Sequence, residues 1–405
     1  MITKIHNKYY NLSDFKKKHP GGEKILECCE GIDATAAFES YHVFVDMERI
    51  KRVMKQYECD EPIQKIKSSD YTFLENGFYY DVKERVKLYL KNKTNKWTFC
   101  WLFYFISTFS VYCYSFIYTF TYINQPIIYR YFASIISGTT LMLILFQGYH
   151  DASHSAISSY KGINENMALI GSGLAIWDWT TWTKHHCIMH HSFTGDTMLD
   201  PDTQWPLSKK SPIVSRNVII KNELLMNIFL LGVPGLYLGQ LVEYGITQYT
   251  KNIFGFNISK KKTRKEWAII IIQILLMLYG RNVKLILLYF LTLNIHYCIS
   301  ILPDHDQFES MLNYDTHSKD WGEIQVRNSG NFAANNLLYT RLYGGINYQI
   351  EHHLFPSLCS YHLRDISKIV KETCRKHDIK YVSTDSIMDA YMSSIKTLYL
   401  INLNK

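Results

Sequence analysis

The first residues of this 405-residue chain, MITKIHNKYYNLSDF, lack an apolar stretch, which argues against a cleavable signal peptide and for an N-terminus in the cytosol. No GxGxxG signature occurs, so the chain is not expected to bind a dinucleotide itself. The cysteines (Cys28, Cys29, Cys59, Cys100, Cys113, Cys187, Cys298, Cys359 and Cys374) follow neither a CxxC nor a disulfide-framework spacing and are expected to be reduced thiols. There is no internal repeat, and KKKTRK at 260–265 is the one low-complexity feature. Charge is missing from residues 97 to 123 (WTFCWLFYFISTFSVYCYSFIYTFTYI), a run longer than the roughly 20 residues that span a bilayer core.

What is present points the same way. The chain is 47% hydrophobic and 15% aromatic, unevenly distributed. Residues 131–149 form a second uncharged run after Arg130, and 285–303 a third if histidine is neutral; 224–242 and 267–280 are weaker candidates. The formal charge is +8, from 44 Lys and Arg against 36 Asp and Glu. Residues 1–70 hold 12 of each sign, so the whole excess, 32 against 24, falls in the remainder. That distribution suits cytosolic loops obeying the positive-inside rule and argues against nucleic-acid binding.

Residues 1–70 read as a small soluble domain. In KKKHPGGEKILECCEGIDATAAFESYH, Pro20, Gly21 and Gly22 make a tight turn after His19, and Asp33 offers an N-cap for ATAAFES. His19 and His42, at a turn and a helix end, are placed to face each other across a flat cofactor. Two imidazoles on a haem iron leave no open position and favour electron transfer. Spacing alone leaves open the reading that both are surface-loop histidines. HPGG followed by D-A-T-x-A-F and then His resembles cytochrome b5, and the resemblance implies that His19 and His42 are the axial ligands of haem b. Cytochrome b5 domains tend to be acidic, whereas this one is about neutral; a tethered donor needs less electrostatic steering.

Three more stretches are dense in histidine. QGYHDASHSA places His150 and His154 four apart, on one face of a helix. WTKHHCIMHHSFTGDTMLDPD supplies His186, His190 and His191 with His185 beside them, and NYQIEHHLFP supplies Gln349, His352 and His353. A single such cluster is more often a satisfied or surface group of histidines. Three together, each beside a hydrophobic span, exceed what one metal needs and imply a dinuclear site. Histidine-rich ligation suits Fe, Cu or Zn, but zinc has no redox chemistry to match a haem donor, so iron with an oxygen substrate fits better.

Topology restricts the rest. The clusters must share one side of the membrane, so crossings between 191 and 349 are even in number. A hairpin of 267–280 and 285–303, turning near Arg281 and Asn282, keeps Lys260 to Lys265 cytosolic. Residues 224–242 and 163–179 then lie along the interface. Four spans result. His305 emerges at the cytosolic end of the fourth, level with the clusters, and is the preferred extra ligand. His296 lies midway along that span as a buried core histidine; His317 is read as solvated, and His362 and His377 show no ligand spacing.

HDASH, H-x-x-x-H-H followed by DPD, and Q-I-E-H-H-L-F-P resemble the membrane fatty acid desaturases, specifically the front-end group with an N-terminal cytochrome b5 domain. The resemblance covers essentially the whole chain. It implies a small α+β cytochrome b5-like domain followed by an all-α polytopic membrane domain, with four transmembrane helices, interfacial helices and a cytosolic di-iron cap. The expected division is 1–75 haem-binding domain, 76–96 linker, 97–385 membrane desaturase domain and 386–405 tail. By motif position the di-iron shell is His150, His154, His186, His190, His191, Gln349, His352 and His353, with His305 added by location. An asparagine one turn before that ligand contacts iron through water in some relatives; here the position is Ile301. The alternative H-x-x-H-H reading of the second box would make Cys187 a ligand.

The resemblance further implies O2-dependent insertion of a cis double bond between an existing double bond and the carboxyl end of a fatty acyl chain, with Δ5- or Δ6-like regiochemistry. The substrate is expected as an acyl lipid or acyl-CoA, with membrane lipids around it and electrons from NADH through a separate cytochrome b5 reductase. An endoplasmic reticulum membrane location with both termini cytosolic follows. A sphingolipid long-chain-base Δ8 desaturase or an acyl hydroxylase would share the same boxes. Trp177, Trp179 and Trp182 either line the acyl tunnel or, as interfacial aromatics more often do, anchor the membrane surface.

Overall fold

Thr3, Ile5 and Tyr10 turn inward from two short strands, β1 (Ile2–Ile5) and β2 (Lys8–Asn11), which pair antiparallel, and β3 (Glu58–Cys59) adds to β2. Helices α1 (Glu23–Cys28), α2 (Thr35–Tyr41) and α3 (Met47–Met54) complete this first unit around Leu26, Ile32 and Phe38. Asp33 caps α2 from two residues before its start, its carboxylate accepting from the Thr35 N–H at 3.1 Å. These coordinates are a computed structural model describing residues 1–62, 66, 68–204, 236–253, 256–258, 262–311 and 318–400. All the cysteines are free thiols.

The stretch expected as a linker contains α4 (Phe78–Leu90), whose Phe78, Tyr79, Val82, Val86 and Leu90 are buried on one face. The body then runs through α5 (Phe99–Thr121), α6 (Ile127–Ile144), α7 (Lys161–Leu174), α8 (Leu236–Thr250), α9 (Arg264–Tyr279) and α10 (Val283–Asp306). Its pattern is inverted relative to a water-soluble fold. Ser115, Thr119, Ser134, Ser137 and Gln273 are buried, while Phe103, Ile106, Phe132, Ile136, Ile272, Leu275, Leu287 and Leu291 face out. A lipid surround favours that arrangement, because apolar side chains gain nothing from avoiding lipid tails and polar groups must pair internally.

Among the described residues three helices are long and apolar enough to cross a bilayer: Phe99–Thr121, Ile127–Ser153 and Val283–Asp306. The second of these includes α6 and its continuation to Ser153. The expected fourth crossing is α9, whose 16 residues span only about 24 Å at an α-helical rise. Gly280, Arg281 and Asn282 separate α9 from α10, with Arg281 at φ 49° and the Asn282 side chain accepting from the Lys284 N–H. Buried Arg130 holds that end of the bundle: its Nε donates to Thr119 O at 3.0 Å and its Nη2 to Gly280 O at 2.9 Å. A guanidinium there satisfies orphan carbonyls at the C-termini of α5 and α9 and complements both helix dipoles. Both helices therefore end where α6 and α10 begin.

The remaining elements close the opposite end: α11 (Trp321–Arg327), α12 (Gln349–Leu354), α13 (Leu363–Lys376) and α14 (Ile387–Leu400). α13 packs on α4 through Leu363, Ile366 and Val370. The expected tail is thus helical to Leu400 and packs on α10. Of the candidate stretch 224–242, residues 224–235 lie outside the described residues, as do Lys260, Lys261 and His317.

Candidate metal centre

The haem-ligand candidates are held by their own local backbone. His42 caps the end of α2, its Nδ1 2.8 Å from Phe38 O; His19 Nδ1 lies 3.3 Å from Gly22 O. Gly22 has φ 101°, and a Cβ on Gly21 would sit 2.9 Å from the His19 ring, so the glycine pair lets the chain fold against this imidazole. With both Nδ1 atoms engaged, the Nε2 lone pairs are the free ones. The rings stand 6.2 Å apart between centroids, close to what two metal–nitrogen bonds of about 2 Å plus two ring radii of about 1 Å require. Burial and the neighbouring His42 pull His19 down to about 4, and burial lowers His42, so both are neutral donors. The pair fits a haem iron.

The three histidine stretches come from the continuation of α6, the segment after α7, and α12, and meet in one buried place. One group gathers His150, His154, His186 and His352, whose ligand atoms lie within 4.8 Å of one another. His191 joins it, its Nε2 3.1 Å from His352 Nε2 and 3.3 Å from His186 Nε2. A second group gathers His190, His305 and His353. Gln349 Nε2 lies 3.1 Å from the Nε2 atoms of both His305 and His353.

Two departures from α-helical geometry build this arrangement. Leu145–His150 and Thr183–His190 are π-helical, and the His191 N–H donates to His186 O five residues back. The expected α-helical spacing set His186 one turn before His190. The wider π turn instead aligns His186 with His191, and His190 points to the second group. Adjacent residues on a helix diverge by about 100°, so each histidine doublet divides: His191 and His352 go to the first group, His190 and His353 to the second. The third stretch reaches the site through Gly344 and Gly345, at φ 60° and 72°. A Cβ on Gly344 would lie 2.4 Å from Phe146 O, so only glycine allows this loop to approach the first π turn.

The outer nitrogens have partners that fix the tautomers. His190 Nδ1 lies 3.0 Å from Asp200 Oδ1 and 3.2 Å from Asp202 Oδ2. His353 Nδ1 lies 3.0 Å from Gln325 Oε1, and His305 Nδ1 lies 2.8 Å from Asn328 O. Each acceptor takes the Nδ1 proton and leaves Nε2 as a lone pair aimed inward. Burial, reinforced by surrounding imidazoles, holds His186, His191, His352 and His353 well below the usual histidine pKa, so none carries charge. Converging lone pairs repel unless a cation lies between them. Gln349 Oε1 is buried without a hydrogen-bond partner, and a half-turn of the amide would exchange it with the inward Nε2. The donor set fits two iron ions, with neutral nitrogens and one carbonyl oxygen.

Other site residues sort by contact. His185 pairs with Asp202 Oδ1 at 2.6 Å and with Tyr244 OH at 3.1 Å. Burial opposes its protonation, but the Asp202 carboxylate outweighs this and raises its pKa. Cys187 Sγ is buried 4.0 Å from His154 Nε2 and belongs to neither group of mutually close ligand atoms. His296 bonds Tyr343 OH and Thr139 Oγ1, His362 bonds Thr94 O, and His377 bonds Asp81. A cavity of about 150 Å³ adjoins His150, His186, His190 and His305, its apolar wall including Met142, Leu145, Phe146 and Tyr149. Trp177 and Trp182 line it, buried and stacked with centroids 5.1 Å apart, which overturns their reading as interfacial anchors; the Trp179 ring instead meets Lys24 Nζ at 3.5 Å.

Sequence reasoning missed several supports. Asp151, inside HDASH, accepts from Trp97 Nε1 at 2.9 Å and from Ser360, tying the first box to the loop after the third. Glu351, inside QIEHH, is buried between Asn331 and Tyr381, and burial raises its pKa to about 7. The carboxylates of the DPD motif were visible as part of that motif; nothing in the local sequence marked Gln325 or Asn328.

Comparison with known proteins agrees with this geometry. Residues 126–385 match the sequence family "Fatty acid desaturase", and residues 2–60 match "Cytochrome b5-like Heme/Steroid binding domain". The chain is 26% identical to "Probable Delta(5) fatty acid desaturase C" of Dictyostelium discoideum, over 98% of this chain and 90% of that protein. It is 26% identical to "Delta(8)-fatty-acid desaturase" of Borago officinalis, over 97% of this chain and 89% of that protein. With "Acyl-lipid (8-3)-desaturase" of Mortierella alpina it shares 22% identity, over 100% and 94% respectively.

Proposed function

This chain belongs to the fatty acid desaturase family, and from that premise we propose that it is an O2-dependent front-end desaturase with Δ5- or Δ6-like regiochemistry, inserting a cis double bond between an existing one and the carboxyl end of an acyl lipid or acyl-CoA. The observation that carries the reading is the meeting of two imidazole groups beside an apolar cavity, with a bis-histidine pair on the attached cytochrome b5-like domain.

His150, His154, His186, His191 and His352 would hold one iron, and His190, His305, His353 and Gln349 the other. Bound there, the irons would supply O2 activation and removal of two hydrogens from adjacent methylenes, leaving the double bond and water. The protein's own share is binding and exclusion of water: Met142, Leu145, Phe146, Trp177 and Trp182 line the cavity and set how deep an acyl chain lies against the imidazoles. Asp200, Gln325 and Asn328 hold the Nδ1 protons outward. His19 and His42 would hold haem b, with electrons entering one at a time from NADH through a separate cytochrome b5 reductase.

Residues 97–385 form the membrane domain in this reading, after a haem domain at 1–75 and a connecting stretch at 76–96, with 386–405 as the tail; α9 makes the fourth crossing. Two observations support that crossing. Arg130 joins the ends of α5 and α9, so the two run in the same direction, and Trp267, Ile271, Leu275 and Leu278 of α9 face outward. In α8, Leu238, Val242, Ile246 and Tyr249 make an exposed apolar stripe over buried Tyr237, Gln240 and Tyr244, suited to a helix lying in the interface. Both termini and the metal groups then face the cytosol of an endoplasmic reticulum membrane.

The Borago relative, named as a Δ8 fatty-acid desaturase and as similar as the Dictyostelium one, favours Δ8 regiochemistry as the second reading; a long-chain-base Δ8 desaturase or a hydroxylase would use the same site. Lipid analysis of cells expressing the chain and fed a panel of fatty acids separates them. We expect a new acyl double bond on the carboxyl side of an existing one, located by mass spectrometry. An unsaturated long-chain base, a hydroxylated lipid, or no product would each reject the proposal.

A further inference from the structure

Tyr41 is the covalent neighbour of His42, yet its side chain reaches the other metal site. Its hydroxyl lies 2.6 Å from His154 Nδ1 and 3.2 Å from Cys187 O, and its ring stacks on His154 with centroids 6.0 Å apart and planes at 19°. A phenol has one proton. The Cys187 carbonyl can only accept, so that proton goes to Cys187 O, and the phenol oxygen accepts the His154 Nδ1–H. The tautomer that satisfies both contacts leaves the His154 Nε2 lone pair facing His150, His186 and His352. Asp200, Gln325 and Asn328 do the same for their histidines from within the membrane domain; for His154 the partner comes from the haem domain.

Resting on the desaturase reading, we propose that Tyr41 is a positioning residue, a haem-domain side chain whose hydroxyl holds an iron ligand of the other site. Neighbouring contacts seat the same surface: Lys184 Nζ donates to Cys28 O, and Ser357 Oγ donates to Tyr41 O at 3.4 Å. No proton or electron need move through the phenol for this role; it acts by orienting an imidazole.

The test uses the full-length protein in detergent, loaded with haem and ferrous iron. Tyr41→Phe keeps the ring and removes the hydroxyl. Iron release to a chelator should accelerate about 10- to 100-fold, the range typical for losing a ligand's hydrogen-bond partner, while the haem absorption spectrum is unchanged. Lys83→Met breaks the ion pair of Glu39, on the same helix as Tyr41, but leaves the Tyr41 hydroxyl in place, and should leave iron release at the wild-type rate. Wild-type release from Tyr41→Phe, or equal acceleration in Lys83→Met, would overturn the proposal while leaving the desaturase reading intact. If Tyr41→Phe disturbs the haem spectrum, Tyr41→Trp replaces it as a ring without a hydroxyl at that position, judged by the same release rates. A wild-type protein that takes up no iron would overturn both readings.

Discussion

His19 and His42 stand in one contiguous stretch, and each is held by a backbone carbonyl three or four residues away. The histidines of the second site come from widely separated segments and lean on distant groups: His353 on Gln325, His305 on Asn328 and His154 on Tyr41, 113 residues away. Local chain geometry therefore suffices to present the first pair, whereas the second site exists only once the helices are assembled. The first should tolerate changes elsewhere in the fold; the second should register them.

Removing a donor separates the two sites most sharply. His352→Ala should reduce desaturated product to background and lower bound iron, measured by elemental analysis, while the haem spectrum stays intact; His19→Ala or His42→Ala should do the reverse, abolishing haem loading and product with membrane insertion retained. Full activity in a His19 or His42 variant would break the idea of a fused donor. Asp200→Asn comes next. It weakens the acceptor on His190 Nδ1 and should cost about 10- to 100-fold in iron affinity, read by chelator competition.

Gln349→His sharpens the comparison within the second site. An imidazole is a stronger donor than an amide carbonyl, so iron content should hold while turnover falls by about tenfold, on the order of 1.4 kcal/mol in the barrier. Unchanged or higher turnover would mean that the amide is not tuned to its position.

The smallest effect concerns pH. Glu39 on the haem domain pairs with Lys83 of α4 at 2.9 Å and with His6 at 3.0 Å. Burial pushes its carboxyl up, but His6 and Lys83 outweigh that and hold it at about 2, below the usual 4.5. A depressed folded-state pKa stabilises above the ordinary value, and the contribution is lost as pH falls from about 4.5 toward 2. Thermal unfolding of the wild type should therefore lose more stability over that interval than Lys83→Met does; equal losses would show that the pair adds nothing.

Much of this was legible in the residues. The uncharged runs coincide with α5, the helix from Ile127 to Ser153 and α10, because length and apolarity are properties of the local chain. The HPGG turn and its partner histidine were readable because both lie within one short unit. His305 could be placed by counting along α10 from its apolar start. The tryptophans could not: Trp177 and Trp182 read as anchors because nothing local says which side of a helix will face a cavity. The π turns were equally hidden, since a five-residue hydrogen bond has no composition of its own and arises where the surrounding packing demands it.

What the sequence by itself determined is the inventory: apolar runs long enough for a bilayer, a tight glycine turn beside His19, and histidine doublets one residue apart. A helix sends adjacent side chains about 100° apart, so each doublet was bound to face two directions. Which two directions, and that His186 joins His191 and not His190, was decided only by the tertiary structure. The outer partners Gln325, Asn328 and Tyr41 were decided there as well, because hydrogen bonds across 28, 23 and 113 residues depend on packing that no local stretch encodes.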